Sequence, residues 1–225
     1  MNNKGLIESP DFNKPEKYLE SGDRTKVTEK IREAVKNING NTEGMLVRNL
    51  LVWMNQNTKR LHNGNDQRKF RRTAEEILVS GERTGCCDSS TLFTALARSK
   101  NIPAMQVITL NKEWGRKIDN GERTGTEGHY FTACYLQNIS GEREWVLIDS
   151  DRIISDPRDV KMLKMKLEDR NVDRGYYAFA YTRDYGDIQL EGIRIDSILN
   201  MAKVQNMAYQ ECDKEDIFKK QELER

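Results

Sequence analysis

The sequence predicts an α+β fold, with helices first and a run of antiparallel strands after them. Three observations predict it. Apolar residues recur at helical spacing through much of the first hundred residues. Beyond Pro103 the pattern changes to short runs rich in aromatic and β-branched side chains, and Gly, Asn and Asp, the residues of turns, separate those runs. Helices and strands segregated along the chain imply an antiparallel sheet with helices packed against it.

Residues 1–24 are polar, and Pro10, Pro15 and Gly22 interrupt any periodicity, so they read as an arm that lies on the domain or is partly disordered. The domain proper spans 25–200. Val27, Ile31, Ala34, Val35 and Ile38 mark a first helix that Gly40-Asn41 stops. A second begins near Thr42 and carries Leu46, Leu50, Trp53 and Met54 on one face. Thr73 and Glu76 have the spacing of a capping box and open a short helix that ends near Ser80-Gly81. Residues 86–100 form a buried helix, which Asn101 can close in the left-handed conformation and Pro103 prevents from continuing.

Strands are expected over 104–110, 129–136, 144–149 and 175–183. Residues 111–128 are a long polar insertion containing Trp114, either bordering a site or forming a disordered surface loop. Residues 201–225 complete a Lys- and Glu-rich stretch that reads as a surface helix with a frayed tail.

Composition narrows the function. The 37 basic and 36 acidic side chains nearly cancel, so no global field would draw in nucleic acid or an anionic membrane. The beginning of the sequence has no apolar signal core, and no apolar stretch approaches the roughly 20 residues of a membrane helix, so a cytoplasmic protein is expected. Asn138-Ile-Ser140 matches a glycosylation sequon but reads as a polar turn. Cys86, Cys87, Cys134 and Cys212 lack the spacing of a disulfide framework and suit a reducing compartment.

The chemistry concentrates on Thr84-Gly-Cys-Cys-Asp88, at the start of the buried helix, because the chain has only two histidines to partner a thiol. A free thiol titrates near pKa ~8.5, and a helix N-terminus beside an imidazolium favours its thiolate. Cys87 points about 100° away around the helix, so only one of the two cysteines can face a given histidine. His129 opens one strand and Asp149 ends the next. A hairpin turning through 138–141 would make them near cross-strand neighbours, with Asp149 holding the imidazole Nδ1 and leaving Nε2 for the thiol. Asp151 shares the face of Asp149 by period-two alternation and is the reserve candidate.

These residues resemble the transglutaminase-like superfamily of papain-fold cysteine enzymes over roughly 45–150. The stretch from Thr84 to Ala104 is similar to the family's Thr-Gly-Cys-x-Asp helix and the Gly-Ile-Pro that follows it; Gly128-His-Tyr-Phe-Thr-Ala-Cys-Tyr-Leu136 resembles its histidine strand, and Trp145-Val-Leu-Ile-Asp149 its Trp-x-x-x-Asp strand. Leu51-Val-Trp-Met-Asn-Gln-Asn57 is similar to its upstream Trp helix. The resemblance implies Cys86 as nucleophile, His129 as base and Asp149 as the group that orients it. The chain departs from the pattern at Asn101, where glycine is usual, and at Ser150, where proline is common.

The expected function is cysteine-dependent acyl transfer through a thioester. The substrate would be a protein or peptide, with hydrolysis or transfer to an amine completing the cycle, and no cofactor or metal is expected. A catalytically silent peptide- or protein-binding module on the same fold is the alternative. A zinc protein using the cysteines and His129 is a third reading, weakened because adjacent cysteines do not readily fill two corners of one tetrahedron.

Overall fold

Side-chain caps place the helices. In the computed structural model, which describes residues 11–61, 68, 70–113, 117, 128–165, 171–172 and 175–185, the Thr28 side chain accepts from the Ile31 N–H to open α1 (Glu29–Val35). Thr42 does the same for the Met45 N–H at α2 (Glu43–Asn57). Thr73 and Glu76 form the expected capping box at α3 (Ala74–Ser80), which closes on Gly81 at φ 65°. The cysteine helix is α4 (Cys86–Ser99), and Asn101 after it takes φ 60°.

Two short strands escape any periodicity argument because each is two residues long. β1 (Lys59–Arg60) and β2 (Glu82–Arg83) pair in parallel, and β2 leads directly into the loop before α4. Among the described residues the main sheet has six antiparallel strands. β3 (Ala104–Asn111), β4 (Gly128–Gln137) and β5 (Arg143–Ile148) are neighbours in that order. β6 (Met162–Lys164) adds beyond β5, while β8 (Tyr176–Thr182) pairs with β3 and β7 (Asn171–Val172) forms the far edge.

The β4–β5 hairpin turns where predicted. Asn138 organises the turn: its Oδ1 accepts from the N–H groups of Ser140 and Glu142, and Gly141 sits at φ 88°. Thr132 pairs with Ile148 and Cys134 with Val146. Continuing that ladder brings Asp149 level with Phe131 rather than with His129. The two are therefore diagonal neighbours, consistent with the near cross-strand placement expected from the sequence.

The sheet is buried on both faces. On one, Leu92, Phe93 and Leu96 of α4 pack with Cys134, Leu136, Val146 and Ile148, and α1, α2 and α3 complete that core. On the other, Met105, Val107, Phe131, Ala133, Trp145 and Leu147 are covered by the chain before α1. Phe12 and Tyr18 meet the Trp145 ring edge-on, and the Trp145 Nε1–H donates to the Phe12 carbonyl at 3.2 Å. The described part of the N-terminal arm thus lies on the sheet. Most of the 111–128 insertion with Trp114, the 201–225 tail and Cys212 lie outside the described residues. Among the described residues no helix is long and apolar enough to cross a membrane.

Candidate active site

The loop entering α4 is shaped by its own aspartate. Asp88 reaches back to accept from the Thr84 N–H at 2.7 Å and the Thr84 hydroxyl at 2.6 Å, and the Arg72 guanidinium neutralises it. Gly85 between them sits at φ 156° and ψ −167°, a region that essentially only glycine occupies. The result presents Cys86 as the first helical residue. It is partly exposed, whereas Cys87 is wholly buried against Ile108, Tyr130 and Ala180. Ser90 then ties the helix's first turns to β4, donating to the Phe131 carbonyl at 3.0 Å.

The second residue of β4 is His129, and Asp149 follows the last residue of β5. The structure brings them together, His129 Nε2 lying 2.9 Å from Asp149 Oδ1. This corrects the expected ring assignment. Asp149 holds Nε2, so Nδ1 is the ring nitrogen left for the thiol. Phe131 meets the ring edge-on at 4.7 Å between centroids and Tyr176 lies tilted at 5.6 Å, fixing its orientation. Burial pushes the imidazolium down, but hydrogen bonds to Asp149 and to Cys86, with the negative charge of both, outweigh it and raise His129 from 6.5 to about 10. Cys86, His129 and Asp149 therefore form one contiguous group.

Asp151, the reserve candidate, is engaged elsewhere. Its Oδ1 accepts from the Ser89 hydroxyl at 2.7 Å, and its carboxylate is gripped by Arg60 through Nε at 2.9 Å and through a terminal nitrogen at 2.7 Å. Arg83, fully buried, donates to Ser89 Oγ at 3.0 Å and to Asn55 Oδ1 at 2.9 Å. Its pKa is lowered by burial, against the opposing pull of Asp151. Sequence reasoning missed Arg60, Arg83 and Ser89 as parts of this site. Ser89 follows Cys86 by one helical turn, a local signal that could have found it, but Arg60 meets Asp151 across 91 residues and leaves no periodic trace.

A small cleft beside Asp149 is lined by Phe131, Leu147, Ile154, Val160 and Arg152. It touches the aspartate end of the group and reaches neither Cys86 nor His129. Among the described residues no cluster of three or more His, Cys, Asp or Glu side chains is arranged to hold a metal ion.

Comparison with known proteins places the fold and the family. No curated protein matches the sequence. Among solved structures, a candidate cysteine protease from Cytophaga hutchinsonii superposes with a TM-score of 0.52 at 17% identity. The match covers 82% of this chain and 53% of that one, so the chain spans about half the length of its structural relative, and the likeness establishes the fold. The family model for the Transglutaminase-like superfamily matches residues 29–150, which contain Cys86, His129 and Asp149. With more than half of its residues inside that match, the chain belongs to the Transglutaminase-like superfamily.

Proposed function

We propose that the protein is a cysteine-dependent enzyme that cleaves a peptide or carboxamide bond through a thioester on Cys86. The observation that carries this reading is the position of a partly exposed thiol at the start of a 14-residue helix, against an imidazole that a carboxylate holds from its other side. The family and the cysteine-protease description of the structural relative support it.

In this mechanism the Cys86 thiolate attacks the carbonyl carbon. The C=O π pair moves onto oxygen, where the Cys86 backbone N–H at the helix start is a donor for the oxyanion. The tetrahedral species collapses by breaking the C–N bond, and His129 Nδ1–H supplies the proton that makes the departing nitrogen an amine. The neutral imidazole then takes a proton from water as that water attacks the thioester. The second tetrahedral species collapses by breaking the C–S bond, the electron pair returning to sulfur as thiolate, so the acid leaves and the Cys86–imidazolium pair returns. Asp149, fixed on Nε2, holds the ring in orientation and stabilises its cationic form throughout.

Hydrolysis is the favoured resolution over transfer, because water at ~55 M competes with any weakly held amine. The test incubates the protein with a glutamine- or peptide-amide donor and a labelled primary amine at millimolar concentration, then compares acid and labelled amide by mass spectrometry. Predominantly acid product is expected. Predominantly labelled amide would make the protein a transglutaminase in activity, and neither product across a broad donor panel would contradict an enzyme and favour a peptide-binding module.

A further inference from the structure

We infer that Asp151, clamped by Arg60 and Ser89, is the positioning residue that keeps Asp149 on His129 and ties that pair to the helix carrying Cys86. The inference rests on the proposed reaction and adds residues that act on its geometry without touching substrate. Asp149 Oδ1 receives two donors: His129 Nε2 at 2.9 Å and the Asp151 backbone N–H at 3.2 Å. The Asp151 main chain therefore fixes the oxygen that orients the imidazole. What fixes Asp151 is its own carboxylate, which is almost fully buried and makes short bonds to two further elements.

One of those elements is α4. Ser89 lies one turn along from Cys86, so its 2.7 Å bond to Asp151 Oδ1 joins the nucleophile's helix to the loop that bears Asp149. The other is β1, where Arg60 approaches with two nitrogens in a fork that holds the carboxylate in plane. Arg60 also lies within the electrostatic reach of Cys86 and Asp149, so its cation counts in the balance of all three. Three segments distant in sequence, near residues 60, 89 and 151, thus converge directly behind the proposed triad.

A buried ion pair can also be purely structural, and such pairs add little net stability over apolar replacements. The two roles separate in kinetics. If the clamp positions Asp149, loosening it weakens the carboxylate's hold on Nε2, so the imidazolium loses support and the chemical step slows, while substrate affinity stays as it was. If the clamp only holds the fold together, variants that remain folded keep the wild-type rate and pH profile.

The test compares Asp151→Asn, Arg60→Gln and Arg60→Lys with the wild-type protein and with Asp156→Asn, a control in a surface pair with Arg158. Each is shown to be folded at the assay temperature by circular dichroism. Two readouts follow: kcat and KM against pH with a peptide-amide donor, and the rate at which iodoacetamide modifies Cys86, which needs no substrate. Asp151→Asn and Arg60→Gln are expected to lower kcat about 10- to 100-fold, the usual loss for residues that orient a reacting group from behind. KM should stay within about twofold. Asp151→Asn, which also removes a nearby anion, should move the alkaline limb of kcat to lower pH, and Arg60→Lys should recover part of the loss in kcat.

Wild-type turnover with unchanged kcat and pH profile in both variants would overturn the clamp and leave the proposed function standing. A wild-type protein that neither turns over nor is labelled first at Cys86 would overturn the function, and the clamp with it. If Arg60→Gln fails to fold because it strands the buried Asp151 carboxylate, Asp151→Asn decides, since the Arg60 cation it leaves behind is one-quarter exposed and stays in contact with solvent.

Discussion

Cys86 and Cys87 are adjacent in the chain and opposite in environment. The first is partly exposed beside His129, and the second is sealed among Ile108, Tyr130 and Ala180. Cys134 is buried too, and burial pushes its thiol up to about 12, which keeps it protonated and unreactive. At this scale the account predicts that Asp149→Asn leaves the fold intact and lowers turnover by about three to four orders of magnitude, as loss of the orienting carboxylate does in triads. Turnover of Asp149→Asn at the wild-type rate beside a dead Asp151→Asn would reassign that role. The protonated ring supplies the leaving-group proton, so activity should fall as pH rises through about 10, where His129 loses that proton. Asp149→Asn removes a support of the imidazolium, and its titration by proton NMR should move down from about 10. The candidates for this site were legible in the sequence because a chain with two histidines offers few partners. Which ring nitrogen meets Asp149 was not, because that depends on side-chain rotamers that carry no sequence signal.

Among the elements, α4 and its entry loop depend most on one buried charge. Asp88 closes the loop through Thr84 and neutralises Arg72, both side chains being almost wholly buried. Asp88→Ala would strand the Arg72 cation, so a loss of about 3–5 kcal/mol is expected, measured by urea unfolding. A loss below about 1 kcal/mol would show that the pair is peripheral, as exposed pairs are. The helix's other end offers a milder test. Asn101 at φ 60° occupies a conformation that costs a β-branched residue about 1–2 kcal/mol, so Asn101→Val should lower the melting temperature while Asn101→Gly should not. Equal melting of the two would show that the left-handed turn is not maintained in solution. Caps, stop signals and the hairpin turn were all legible because each is written within a few residues. β1 and β2 were not, because a two-residue strand has no period, and with them went the position of Arg60.

Across the whole molecule, one sheet with two buried faces holds residues 86, 129 and 149 together. α4 covers one face and the chain before α1 covers the other. Helices followed by strands were enough to predict the α+β class and the helix-covered face. The second face was only half legible: its alternate positions are apolar, but the covering segment is polar and broken by proline, and its two aromatic anchors, Phe12 and Tyr18, look unremarkable in sequence. Trp145→Ala should cost about 3–5 kcal/mol, as removal of a large buried aromatic does, and should also release the chain around Phe12 to limited proteolysis. Unchanged proteolysis at that segment would mean that it is held by contacts other than the Trp145 ring.

If Cys86 is the reactive thiol, its reactivity should depend on His129. Peptide mapping by mass spectrometry after brief exposure to substoichiometric iodoacetamide near neutral pH, on the wild-type protein and on His129→Ala, tests it most directly. The account predicts that Cys86 is modified well ahead of Cys87, Cys134 and Cys212, and that this lead disappears in His129→Ala. Modification of Cys87 first, or a Cys86 lead that survives without His129, would contradict it.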